Sequence, residues 1–139
     1  MLKVRIHTDS RYPVNREVVK RAIFAVFKKN NADNLNGEVS VAIVGLRKMK
    51  WLCQKYKASG GLHEVLAFGF LNASTSGDEN IAGSRGFINP PDGILYLGDI
   101  VICWPQVLVA AREDNVMVDH EIANLAGHGA EHLLGKHHE

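Results

Sequence analysis

Strand-like and helix-like patterns alternate along the whole chain, and this alternation constrains the fold more than any other feature. β-rich or alternating apolar segments predict four strands, at residues 2–8, 38–44, 63–70 and 94–103. Apolar residues at helical spacing predict helices at residues 14–29, 46–57 and 105–112, and a last helix with Asp119 as its candidate N-cap. The nearly continuous apolar run 94–103 is typical of a central strand. We expect one α+β domain over residues 1–139, with helices packed on a mainly mixed four-stranded sheet.

Composition excludes several classes of protein. The 139 residues suffice for one domain, and 46% hydrophobic with 22% charged residues excludes disordered and fibrous chains. No apolar run approaches about 18 residues, so we expect no membrane partner. The first residues alternate charged and apolar side chains and contain no secretory segment. Cys53 and Cys103 are widely spaced, which predicts two reduced, buried thiols in a cytoplasmic protein.

Charge is unevenly distributed although the net charge is only +1. Residues 1–59 contain 13 Lys and Arg against 4 Asp and Glu, whereas residues 60–139 contain 3 against 11. One interpretation is a basic face that meets an anionic polymer. The other is that the two halves interdigitate and their fields cancel.

The second predicted helix concentrates this positive charge. It contains five cations with no acid between them, namely Arg47, Lys48, Lys50, Lys55 and Lys57. Trp51 and Tyr56 are interleaved with them, a pattern that suits a sugar-phosphate backbone and a stacked unpaired base. The alternative is that Trp51 packs in the core with Leu52 while the lysines are solvated, and for Trp51 we expect the core. A polar loop predicted at residues 71–93 is long for a compact domain and therefore also a functional candidate.

Four of the seven histidines fall between positions 128 and 138. His128 and His132 are spaced to share one helix face, where two imidazoles chelate a divalent ion. Gly135 can adopt a positive φ and reverse the chain, so that His138 returns as a third ligand. Three neutral imidazoles leave an open position for water, the catalytic rather than structural arrangement of zinc. The alternative is a solvated histidine pair with no metal.

The last segment also carries a family resemblance. The run from His128 to His138 fits the pattern His-Gly-x-x-His-Leu-x-Gly-x-x-His and resembles the YbeY family of bacterial rRNA maturation factors. The segments 98–102, Gly-Asp-Ile-Val-Ile, and 63–68, His-Glu-Val-Leu-Ala-Phe, resemble two strands of that family in order and spacing.

The resemblance implies an endoribonuclease specific for single-stranded RNA, with one zinc ion per chain. It also implies a role in 16S rRNA 3′ end processing and ribosome quality control, with rRNA and the small ribosomal subunit as partners. Arg47, Lys48, Lys50 and Lys55 are then RNA-binding candidates, and Lys57 is the catalytic candidate, at a position where the family has an arginine. Lysine keeps the charge but lacks the two parallel donors of arginine.

Other positions also depart from the family pattern. His63-Glu64 replaces a Thr-Asp pair, Asn124 replaces a histidine, and His137 stands where an aspartate is common. Glu131 precedes a predicted ligand and has the chemistry of a proton carrier, but we expect it to face solvent.

Two further functions compete with the nuclease. A His-x3-His helix is also the arrangement of zinc peptidases, in which a glutamate follows the first histidine as general base. Here that residue is Gly129, which counts against peptide hydrolysis. The third candidate is a non-catalytic RNA-binding or ribosome-assembly factor whose zinc only stabilises the C-terminal turn, with His137 as a fourth ligand.

Overall fold

The computed structural model of the chain describes residues 2–32, 34, 36–56, 65–69 and 95–135. Its strands are β1 Lys3–Thr8, β2 Gly37–Val44, β3 Val65–Gly69 and β4 Leu95–Cys103. Its helices are α1 Arg16–Lys29, α2 Leu46–Lys55, α3 Trp104–Asp114 and α4 Val118–Leu133. The predicted loop at residues 71–93 lies outside the described residues.

The described strands form one mixed sheet in the order β1-β2-β4-β3. β1 and β4 both pair with β2 in parallel, and β3 pairs with β4 in antiparallel orientation. The prediction of a mixed four-stranded sheet is confirmed, and so is the interior position of β4, whose apolar run is covered on both faces.

Helices cover both faces of this sheet. α1 and α4 pack on one face over the larger core, whose central side chains are Ile23, Phe27, Val41, Ile100 and Leu125. α2 packs on the opposite face, over a smaller cluster that contains Met49, Cys53, Val101 and Cys103. Both cysteines are free and buried, as predicted. Burial raises the pKa of the Cys103 thiol, because the thiolate would lose its hydration there.

α1 and α4 run parallel to each other. At their N-termini, Asn15 caps α1 by accepting from the Val18 amide, and its Nδ2 donates to Asp119 Oδ2 at 3.1 Å. At their C-termini, Lys29 Nζ lies 3.9 Å from Glu131 Oε2. Because α1 connects two parallel strands, both helices start at the carboxyl edge of the sheet and end at its amino edge.

The prediction of Asp119 as the N-cap of the last helix is wrong. Met117 occupies the cap position with extended backbone, and Asp119 lies in the first helical turn. Its carboxylate accepts from Asn15 of α1 instead of from its own helix backbone. A long-range hydrogen bond therefore replaces the local one that the sequence suggested.

A bulge interrupts β4 near its start. Glu38 of β2 is paired with Tyr96 and Val39 with Gly98, so Leu97 is the extra residue. Gly98 has φ of 150°, which favours glycine. The extra residue turns Tyr96 and Asp99 toward the same face of the sheet.

Candidate functional site

α4 places His128 and His132 one helical turn apart near the amino edge of the sheet. His128 is half-buried and His132 is exposed. Between them Gly129 faces the sheet, where an added Cβ would lie 2.7 Å from Cγ2 of Ile100. The missing side chain at 129 thus lets α4 approach β4 closely while the imidazoles face away from the core.

His128 lines a cleft of about 290 Å³ between α4 and α1. Glu131 lines the same cleft, with 22% of its side chain exposed and its carboxylate directed toward Lys29. The expectation that Glu131 projects into solvent is therefore wrong, because α1 covers most of the side chain. Asn124 is also in the lining.

α4 ends in a turn at Gly135. Leu134 is the C-cap, and Gly135 has φ of 85° with its amide donating to the His132 carbonyl at 3.0 Å. This is the left-handed terminus predicted for Gly135. His138 lies outside the described residues, as does His137, so the third ligand stays a prediction.

Within the described ranges no group of three His, Cys, Asp or Glu side chains is arranged to hold a metal ion. His128 and His132 are a two-imidazole donor set at the spacing that suits zinc, and the left-handed glycine follows three residues later. This pair fits the ion as half of a site, and a further ligand would have to come from outside the described residues.

α2 presents its cations away from the sheet. Met49 and Cys53 are buried on the side of the helix that faces the sheet. The exposed residues include Arg47, Lys48, Lys50 and Lys55. None of these four lies within 4 Å of a carboxylate of the described residues. The cations are therefore available to an anionic partner.

Trp51 is 49% exposed, so the prediction that it packs in the core is wrong. Two positions after Met49, it is rotated by about 200° from the buried face of the helix. The ammonium groups of Lys48 and Lys55 lie 5.0 and 4.7 Å from its ring centroid. Leu52 is half-buried, as the same prediction required.

α2 ends beside β3. Tyr56 is the C-cap of α2. The centroid of its ring lies 4.8 Å from the centroid of the Phe68 ring on β3. Lys57 follows directly and lies outside the described residues, as do His63 and Glu64. The catalytic assignment of Lys57 thus stays a prediction.

Sequence reasoning missed a polar cluster under α2. The Tyr96 hydroxyl donates to Asp99 Oδ1 and also hydrogen-bonds with Ser40. Burial, followed by the hydrogen bond to Asp99, raises the pKa of Tyr96 to about 12. Asp99 and Ser40 line a cleft of about 340 Å³ that also includes His7 and Lys48. Gly98 before Asp99 was the available signal, because glycine within a strand often marks a bulge.

Comparison with known proteins identifies the family. The family profile described as Endoribonuclease YbeY matches residues 5–139. The chain belongs to the YbeY family. The endoribonuclease YbeY of Dehalococcoides mccartyi strain 195 is 35% identical over 127 residues, covering 91% of this chain and 72% of the relative. That of Chloroflexus aggregans is 31% identical over 136 residues, covering 98% of this chain and 82% of the relative.

A solved structure supports the fold of this YbeY-family chain. The solution structure of TM1509 from Thermotoga maritima aligns with a TM-score of 0.53 at 23% identity, covering 98% of this chain and 75% of that one. At this identity the likeness concerns the fold alone. None of the helices in the described ranges is long and apolar enough to cross a membrane.

In this YbeY-family chain the described candidate residues form two groups on opposite faces of the sheet. His128 and His132 lie on the face covered by α1 and α4, whereas the exposed cations of α2 lie beyond the opposite face. β3 lies between these two regions at one edge of the described sheet, because it contacts both α4 and Tyr56 of α2.

Proposed function

We propose that this chain is a zinc-dependent endoribonuclease that cleaves single-stranded RNA in rRNA maturation. The observation that carries the proposal is the pairing of His128 and His132 on α4, followed by the left-handed Gly135, in a family whose curated relatives are named Endoribonuclease YbeY. The proposed partners are rRNA and the small ribosomal subunit, in the cytoplasm.

We assign the zinc ligands to His128, His132 and His138, with one ion per chain. A zinc ion held by three imidazoles lowers the pKa of bound water and offsets charge on a phosphate. The chain contributes part of the geometry: α4 holds two of the proposed ligands one helical turn apart, and the positive φ of Gly135 allows the chain to turn after the helix.

The RNA backbone is assigned to the exposed cations of α2, namely Arg47, Lys48, Lys50 and Lys55. Their positive charge has no carboxylate partner among the described side chains, so no ion pair with a described acid would have to break for a phosphate to bind. A strand bound there reaches the histidine pair by passing the β3 edge, where Tyr56 and Phe68 present two aromatic rings. This route suits a flexible single strand.

Lys57 is proposed as the cation that stabilises charge on the scissile phosphate. We expect Lys57→Ala to keep its zinc and to lose about tenfold to a thousandfold in single-turnover cleavage, the range for one transition-state contact. Lys57→Arg should keep or exceed wild-type activity, because it supplies two parallel donors. Lys50→Ala in α2 is the control, with a small loss that added salt removes. Equal effects of Lys57→Ala and Lys50→Ala would exclude Lys57 from the site.

Zinc content and cleavage, measured on the same samples, test the nuclease. We expect about one zinc per chain and chelator-sensitive cleavage of a single-stranded RNA oligonucleotide. His128→Ala and His132→Ala should lose both, whereas His120→Ala, an exposed histidine at the start of α4, should keep both. If a variant lacking all three proposed ligands retained stoichiometric zinc, the metal assignment would be wrong.

The same assay separates the two alternatives. A zinc peptidase would digest an unstructured protein, but residue 129 faces Ile100 and leaves no place for a general base at that position. A non-catalytic factor would bind zinc and RNA without cleaving RNA. Either outcome would contradict the endoribonuclease.

A further inference from the structure

We propose that Trp51 is a stacking platform for one unpaired base of a bound RNA strand. The proposed subsite includes the cleft beside the first turns of α2, on the sheet face opposite the His128 face. This inference rests on the proposed function, because it takes single-stranded RNA as the ligand of α2. It adds a specific base-binding position distant from the metal ligands.

The exposure of Trp51 is the first observation. Met49 and Cys53 are the buried residues of the helix and Leu52 packs against them, so the indole is not part of this cluster. With 49% of its surface exposed, Trp51 contrasts with Trp104, which is 6% exposed in the core. An exposed indole on a cationic helix presents a face on which any base can stack.

The two lysines around the indole are the second observation. Lys48 and Lys55 lie three residues before and four residues after Trp51, and both ammonium groups are within 5.0 Å of the ring centroid. At this distance an ammonium group is attracted electrostatically to the face of the aromatic ring. When a base covers the indole, the long lysine side chains can swing aside and contact the phosphates that flank that base.

An open cleft next to Trp51 is the third observation. Its volume is about 680 Å³, and its lining includes Tyr12, Arg47, Lys48 and Trp51. Tyr12 approaches α2 closely because position 45 is glycine, where a Cβ would lie 2.8 Å from the tyrosine hydroxyl. The volume is in the range of small-molecule sites, about 300 to 1,000 Å³, which suits one nucleotide.

The charge of this cleft favours a polyanion over a protein partner. Asp9 is the acid in the lining, and Arg11 neutralises it through two side-chain hydrogen bonds of 3.1 and 2.9 Å. Arg47 and Lys48 have no carboxylate partner within the described residues, so the described lining of the cleft carries excess positive charge. An apolar protein surface would leave these charges uncompensated.

The position of Trp51 makes its contribution depend on substrate length. It lies on α2, near the carboxyl edge of the parallel strands, whereas His128 and His132 lie on the other face near the amino edge. An RNA that contacts both must cross from one face of the sheet to the other. The cleavage rate of oligonucleotides too short to span this path should not change when Trp51 is substituted.

Binding to chelator-treated protein tests the inference without cleavage. We expect Trp51→Ala to weaken binding of a single-stranded oligonucleotide by about 5- to 150-fold, the range for one base-aromatic stack. Trp51→Phe should retain most of the affinity. Phe24→Ala is the matched control, since Phe24 is a 42% exposed aromatic side chain beside Lys20 in α1.

Fluorescence quenching is a second test of the same contact. The single-stranded RNA should protect the exposed indole from quenching by acrylamide, whereas a duplex of the same sequence should not.

The outcomes distinguish failure of the Trp51 proposal from failure of the proposed endoribonuclease function. Loss of affinity in Trp51→Ala supports the platform even if the wild-type protein cleaves nothing. Wild-type affinity in Trp51→Ala, or equal losses in Trp51→Ala and Phe24→Ala, would overturn it even if the wild type cleaves RNA.

Discussion

Tyr96 and Asp99 show how one inserted residue changes the chemistry of a strand. In a regular strand, side chains three positions apart point to opposite faces. The bulge at Leu97 brings both onto the α2 face, where the phenol donates to the carboxylate. The neutral phenol is favoured there, since burial disfavours phenolate and the Asp99 carboxylate accepts a hydrogen bond from the phenol hydroxyl.

This environment gives Tyr96 a testable alkaline signature. Its pKa of about 12 in the folded chain exceeds the ordinary value of 10.0. The neutral phenol therefore stabilises the fold fully below pH 10, and this stabilisation is lost as the pH rises from 10 toward 12. Phenolate absorbance should show a late ionisation that Tyr96→Phe lacks and Tyr56→Phe retains. Identical titration curves for all three proteins would contradict the assignment.

At the scale of elements, the packing of α4 on β4 positions the histidine pair. The helix has glycines on both sides of His128, but their surroundings differ. A Cβ at 129 would lie 2.7 Å from Cγ2 of the buried Ile100, whereas one at 127 would lie 3.5 Å from Cγ2 of Val26. The first distance requires the helix or the strand to move, and the second is ordinary contact.

Alanine substitutions at these two glycines should therefore change the free energy of unfolding in opposite directions. Gly129→Ala should lower the free energy of unfolding by about 1–3 kcal/mol through overpacking. Gly127→Ala should be neutral or stabilising by up to about 1 kcal/mol, because alanine is the better helix former. Urea unfolding of both variants measures the difference. A similar change in both would show that helix propensity, rather than contact with Ile100, dominates.

At the scale of the whole molecule, the core does not depend on the proposed metal. The two apolar clusters lie on either side of the sheet and include neither His128 nor His132. The proposed ligands His128 and His132 lie in the last turns of α4, at positions other than its buried residues. The fold should thus form without the ion, unlike a small zinc finger.

Chelation should accordingly lower Tm without unfolding the chain. Zinc that binds only the folded form stabilises it in proportion to the logarithm of its concentration above Kd, so Tm should rise steadily with added zinc. His128→Ala should have a Tm that does not respond to zinc, and His120→Ala should respond as the wild type does. Circular dichroism with and without chelator checks this, and complete unfolding of the metal-free protein would contradict it.

The sequence by itself determined the order and type of the elements that the structure describes. Their apolar spacing differs between strand and helix, and a spacing of this kind is a property of neighbouring residues. The same local reasoning predicted the positive φ of Gly135, since a helix that stops needs a residue able to turn back. It also identified the histidine pair, because residues four apart on a helix are always neighbours.

Only the tertiary structure decided which partners these elements meet. Asp119 accepts from Asn15 across 104 positions, Trp51 faces outward because Met49 and Cys53 cover the sheet, and the bulge places Tyr96 beside Asp99. Each outcome depends on atoms far apart in the chain, whose contacts no local pattern encodes. The spacing of residues along the chain determined the elements, and the competition among distant surfaces for burial decided which side chains were left for function.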